Sequence, residues 1–164
     1  MGCSPAAYPA EVRAHTALHV VKGAVVRVLG EGFEWTASTY VRGAHGRLVV
    51  TAPRRPSGEE LAEVERLANQ AVEWDLPVVV EELPRREAEE KYGRIIYDLF
   101  PVPEHVDTLK IVLIRAPDGG LWNINACNKE HTPSTGCIGR IRLGKPRYRA
   151  SKKLLELPFD VEPP

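Results

Sequence analysis

The stretch Ala14-His15-Thr16-Ala17-Leu18-His19-Val20-Val21-Lys22-Gly23-Ala24-Val25-Val26-Arg27-Val28-Leu29-Gly30 governs the reading of the chain. Ala14, Ala17, Leu18, Val21, Ala24, Val25 and Val28 recur at the i, i+3, i+4, i+7 spacing of a helix with one apolar face, and Gly30 supplies its stop. The spacing predicts a first helix of about four to five turns. Beyond it, Phe33 to Arg42 and Arg47 to Ala52 are rich in β-branched and aromatic residues and flank Gly43-Ala44-His45-Gly46, the pattern of a hairpin. Pro53 and Pro56 end the second strand. Ser57 followed by Glu60 is a capping box, opening a second helix along Leu61, Val64, Leu67, Ala68 and Ala71 to about Trp74.

Further along, the pattern predicts a strand over 76–82, a short charged helix over 84–91 and a strand over 109–116. The unbroken run Ile111-Val112-Leu113-Ile114 implies burial of that last strand on both faces. Asp118-Gly119-Gly120 turns the chain into a strand over 121–126, and strands follow at 138–143 and 146–157. Helices and antiparallel hairpins mix without βαβ alternation, so the expected class is α+β, an antiparallel sheet packed with two main helices. The 164 residues suit one domain, with residues 1–11 expected as a flexible or loosely packed lead.

Composition narrows the class of function. Three cysteines, Cys3, Cys127 and Cys137, are too few and unevenly spaced for a disulfide scaffold, which suggests free thiols in a reducing, cytoplasmic setting. No segment approaches the ~18 apolar residues of a membrane span. The start lacks a signal peptide's basic and apolar regions, and Gly2 lacks a convincing myristoylation context. A soluble protein with no membrane partner is expected. The 22 basic and 22 acidic residues give zero net charge, which taken alone argues against a polyanionic partner. Their distribution argues otherwise. Residues 59–104 hold 13 acids against 5 bases, whereas 131–155 hold seven bases and no acid: Arg140, Arg142, Lys145, Arg147, Arg149, Lys152 and Lys153. In strand geometry Arg140 and Arg142 share one face, as do Arg147 and Arg149, over an apolar underside. Such a face can contact phosphates, or it can be a solvated sheet face balanced by acids elsewhere.

Two residue pairs point to metal chemistry. His15 and His19, at i and i+4, project from one side of the first helix, at the border of its apolar stripe. Cys127 and His131 frame Cys127-Asn128-Lys129-Glu130-His131, directly after a predicted strand and before Pro133. Together they make a His₃Cys set of the softness and count that zinc prefers. A metalloprotease would need Glu where Thr16 stands, and a di-iron centre would need Glu-x-x-His pairs on helices. Neither pattern is met.

The stretch His15-Thr16-Ala17-Leu18-His19-Val20, then Trp35-Thr36-Ala37-Ser38-Thr39-Tyr40, then Cys-x-x-x-His and Thr135-Gly136-Cys137-Ile138-Gly139, resembles the alanyl-tRNA editing proteins called AlaX. These are relatives of the editing domain of alanyl-tRNA synthetase and of the N-terminal editing region of threonyl-tRNA synthetase. The resemblance runs from about Val12 to Leu157 and is to the short form, without an N-terminal β-barrel extension. It implies that the chain hydrolyses the ester of a wrong amino acid, chiefly serine, on the acceptor end of alanine tRNA. It also implies one Zn²⁺ per chain on His15, His19, Cys127 and His131, with the attack assigned to a zinc-associated water rather than to a side chain. The residues between Cys127 and His131 depart from the family's Gly-Gly-Thr, and Cys137 replaces its Glu. Cys137 reads as a buried core thiol rather than a fifth ligand.

An editing site that selects serine over alanine needs small polar groups that bond its hydroxyl. Thr36, Ser38 and Thr39, on the family's pocket strand, and Thr16 beside the first ligand are the candidates, although an ordinary solvent-facing strand also carries such residues. The basic segment 140–153 would contact the acceptor stem. A non-catalytic zinc-stabilised RNA-binding module is the alternative reading, and a small-molecule zinc hydrolase would leave the basic segment unused. Exposed strand edges permit a homodimer without demanding one.

Overall fold

In the computed structural model, which describes residues 2–164, helix α1 (Ala10–Leu29) runs through the centre of the molecule. Pro9 sets its start, and Gly30 ends it at φ 75° while its N–H reaches the Val26 carbonyl. Ala14, Ala17, Val20, Val21, Ala24 and Val25 are fully buried, so the apolar stripe seen in the sequence faces the core. Helix α2 (Gly58–Glu73) packs beside α1 through Val64, Ala68 and Ala71. Its capping box forms as expected: Glu60 N–H donates to Ser57 Oγ (3.1 Å) and Ser57 N–H donates to Glu60 Oε1 (2.9 Å).

The expected single sheet divides in two. Strands β1 (Thr36–Arg42), β2 (His45–Thr51), β6 (Ile141–Leu143), β7 (Arg147–Arg149) and β8 (Leu154–Val161) form one antiparallel sheet, in which β8 pairs with β2, β6 and β7. Strands β3 (Val78–Pro84), β4 (Thr108–Arg115) and β5 (Leu121–Ala126) form the other. The β1–β2 turn is only Gly43-Ala44, because Arg42 pairs with His45 and Gly43 adopts φ 58°. A two-residue turn of this kind starts β2 two residues earlier than the composition suggests. The strand expected over 146–157 is two strands, β7 and β8, antiparallel to each other. Their turn lies among Ala150, Ser151, Lys152 and Lys153, with Lys153 at φ 50°, and no Gly, Asn or Pro marks it in sequence.

Central strand β4 is buried on both faces, as its apolar run implies. Ile114 joins the main core around α1, whereas Leu109, Ile111 and Leu113 pack into a second core with Ala88 of helix α3 (Arg85–Tyr92), Ile96 and Tyr97.

The cysteine reading is overturned for two of the three thiols. Cys3 and Cys137 are joined by a disulfide, with Cα atoms 4.8 Å apart, and only Cys127 is free. Cys137 is buried, but as a half-cystine. The lead folds through a 3-10 turn at Pro5–Ala7 back onto a second 3-10 turn at Thr135–Cys137, a contact that no spacing rule discloses.

One approach fixes how α1 sits on the second sheet. A Cβ at Gly23 would lie 2.4 Å from the Trp122 ring of β5. The Trp122 Nε1–H donates to the Val20 carbonyl (3.0 Å), and Arg27 donates to the carbonyls of Trp122 and Leu121 (both 2.9 Å). Replacing Gly23 with Ala should therefore lower stability by about 1–3 kcal/mol through overpacking, although Ala is the better helix former by about 1 kcal/mol. Urea unfolding checks this, and a stabilised variant would contradict the close packing. The disulfide closes a separation of 134 residues. Cys3→Ser should cost about 2–5 kcal/mol under oxidising conditions and nothing in the presence of reductant, read from the same unfolding curves.

Candidate metal centre and adjoining cavity

His19 occupies the α1 face turned to the end of β5, and Cys127 follows directly after Ala126, the last residue of that strand. The Gly23–Trp122 approach thus brings helix and strand end together. His131 is held by the loop behind it. Thr132 N–H donates to Thr16 Oγ1 (2.8 Å), Leu76 N–H donates to Thr135 Oγ1 (2.7 Å), and Gly136 N–H donates to Asp75 Oδ1 (2.8 Å).

One potential ligand atom from each of His19, Cys127 and His131 falls within 4.8 Å of the others, so this group can hold a metal ion. Nε2 of His19 stands 3.0 Å from Nε2 of His131, and the Asn123 amide stands 3.5 Å from His19 Nδ1. Burial pushes the histidines down, His19 to about 3 and His131 to about 4, with further lowering of each by neighbouring histidine charge. Both rings are therefore neutral near pH 7, the state in which imidazole ligates. Burial pushes the Cys127 thiol up, so its thiolate requires a nearby cation. His131 Nδ1 is buried without a partner. Two neutral imidazoles, a thiol that needs positive charge and an orphaned nitrogen fit a soft divalent ion.

His15 lies outside this three-residue group and lines the adjoining cavity. That cavity, of about 420 Å³, opens between the first half of α1, β1, the segment 98–108 and the end of β5.

Of the polar residues expected to line the site, Thr36 and Thr39 do and Ser38 does not. Strict alternation would pair Thr36 with Ser38. A β-bulge between them shifts the phase, so that Thr36 and Thr39 share the cavity face and Ser38 is exposed. Thr16 is fully buried and away from the cavity; its hydroxyl donates to the Val12 carbonyl (3.2 Å) and accepts from Thr132, which makes it a clamp on the loop that carries His131.

None of the seven basic residues of 140–153 lines the cavity. Arg140 and Arg142 stand 3.8 and 3.7 Å from Glu162, and Arg149 is paired with Glu156. The acids that offset these three arginines lie on β8 and directly after it, C-terminal to the basic run. The cations of the cavity are Lys22, Lys110 and Lys129 instead, joined by one carboxylate, Asp98. Lys22 was legible, since it lies three residues after His19 on the same helix side. Asp98 carried no signal, because it reaches the site only through the packing of segment 94–100 against β1.

No protein-family model matches the chain. It is 42% identical over 132 residues to alanine-tRNA ligase of Pyrococcus abyssi, which covers 80% of this chain and 14% of that protein. The corresponding figures are 42% over 134 residues, 82% and 15%, for the Pyrobaculum arsenaticum enzyme, and 43% over 131 residues, 80% and 13%, for that of Methanopyrus kandleri. At this identity over four-fifths of its length, the chain is a homologue of a segment of alanine-tRNA ligases. It spans only about one-seventh of the length of these relatives.

Cobalt(II) added to metal-free protein should give the near-ultraviolet absorption of a cobalt–thiolate bond. Cys127→Ala should abolish that band and His131→Ala should weaken it at least tenfold in metal affinity. A band that survives Cys127→Ala would place the metal elsewhere.

Proposed function

We propose that the chain is an aminoacyl-tRNA editing hydrolase, which removes a wrong amino acid, chiefly serine, from the acceptor end of alanine tRNA in the cytoplasm. The observation that carries this reading is the meeting of a His-Cys-His group with a cavity of about 420 Å³, apolar over much of its surface and polar at Lys22, Thr36 and Asp98, in a homologue of a segment of alanine-tRNA ligase. A cavity of that size has room for an amino acid with part of its ribose. One Zn²⁺ per chain is assigned to His19, Cys127 and His131, with His15, one turn earlier on α1, lining the cavity beside them. When bound, zinc supplies Lewis acidity at the ester carbonyl or lowers the pKa of a nearby water.

The chain's own residues supply selection. Thr36 is 2% exposed and offers its hydroxyl to the side chain of the bound amino acid. A buried hydroxyl that bonds serine is left unpaired by alanine, and that mismatch discriminates far better than one methyl group's worth of volume does. Lys110 and Lys129 supply positive charge for the phosphates of the acceptor end, while the exposed basic face of 140–153 is the second candidate for backbone contact.

The zinc-loaded protein, incubated with Ser-tRNA(Ala) and Ala-tRNA(Ala), should release serine at least tenfold faster than alanine, and His19→Ala should release neither. Release of neither by the intact protein, with RNA still bound, would favour a non-catalytic zinc-stabilised RNA-binding module. Equal release of both would remove the proofreading role.

A further inference from the structure

Lys22 and Asp98 are charged, largely withdrawn from water and unused by the reading above. Lys22 Nζ–H donates to Thr36 Oγ1 at 2.7 Å. Leu99 N–H donates to the Thr36 carbonyl, also at 2.7 Å, so the residue after Asp98 is pinned to the backbone of the same threonine. Asn125 Nδ2–H donates to the Ile96 carbonyl (3.3 Å), tying the segment on its other side. Three polar side chains from α1, β1 and the segment after Tyr97 therefore converge on one wall of the cavity.

Their chemistry is complementary to an aminoacyl group. Lys22 lacks an acceptor lone pair, so its bond to Thr36 occupies a lone pair of the hydroxyl oxygen and leaves the hydroxyl proton to donate into the cavity. Burial pushes the Asp98 carboxyl up, and the cation that opposes this, Lys22, acts through space rather than as a hydrogen-bonded partner. Asp98 is the only carboxylate among the residues that line the cavity. An aminoacyl ester has one obligatory charge, its α-ammonium, which cannot be buried beside Lys22, Lys110 and Lys129 without an anion.

Resting on the editing reading, we propose that Asp98 receives the α-ammonium of the esterified amino acid, and that Lys22 is a positioning residue which sets the Thr36 hydroxyl as a donor to the serine oxygen. The cavity is then specific for an α-amino acyl group rather than for a hydroxyl-bearing acyl group in general.

The test uses two stable probes, adenosine carrying a seryl group in amide linkage at the 3′ position and its glyceroyl counterpart, which has a hydroxyl in place of the α-amino group. The zinc-loaded wild type should bind the seryl probe about 10- to 100-fold more tightly, the range for a hydrogen bond to a charged group. Asp98→Asn, an isosteric change that removes a partly buried charge, should bring that ratio close to one, chiefly by weakening the seryl probe. The ratio is taken within one protein, so partial unfolding cancels. Lys22→Met should lower the Ser-tRNA over Ala-tRNA preference by raising KM for the seryl substrate, with less change for the alanyl one. An undiminished ratio in Asp98→Asn, or an equal loss for both probes, overturns the assignment of Asp98. Wild type that binds neither probe refutes the editing reading itself.

Discussion

The rest of the structure depends on the seat of α1 against β5, where Gly23 lets a helix backbone touch the Trp122 ring. Any larger residue would hold the helix away from the strand. Because His19 lies one turn before Gly23 and Cys127 follows β5, the separation of helix and strand is also the separation of the two candidate ligands. The hydrogen bond from Trp122 to the Val20 carbonyl and the two from Arg27 to β5 carbonyls fix the contact in register as well as distance. A side chain that packs a helix and a histidine of the candidate metal group are thus constrained by one approach.

From that contact the site is completed by polar fastening rather than by apolar packing. Thr16 holds Thr132, Thr135 bonds the Ala71 carbonyl and receives Leu76 N–H, and Asp75 receives Gly136 N–H. These bonds place His131 opposite His19. Each is buried or partly buried, where an unmade partner is expensive. The disulfide from Cys3 to Cys137 ties the lead to the same segment, so the N-terminal residues contribute to holding the loop on which His131 sits.

The helices were legible because their apolar periodicity and caps are local. Ser57 with Glu60 marked the start of α2, and Gly30 marked the end of α1. His19 was legible for the same reason, since i, i+4 spacing on a helix needs no tertiary information, and Cys127 with His131 was legible as a short-range pair in the loop that follows β5. What was hidden is what only the third dimension decides. The bulge between Thr36 and Ser38 reassigns which strand residues face the cavity, and the Lys153 turn splits one expected strand into two. The basic run of 140–153 looked uncompensated along the chain, yet β8 brings Glu156 alongside and the following residues bring Glu162. Thr16, adjacent in sequence to His15, turns inward to bond the loop that carries His131. Asp98 has no motif at all, and its place follows from one backbone bond between Leu99 and Thr36.

In the proposed function, the candidate metal group and the polar wall of the cavity serve one bound aminoacyl end. A crystal structure of the zinc-loaded protein with 3′-serylamido-adenosine tests it most directly. Metal density at His19, Cys127 and His131, with the serine hydroxyl within hydrogen-bond distance of Thr36 Oγ1, is the expected result. Density for the analogue outside the cavity, or for the metal away from Cys127, would contradict it.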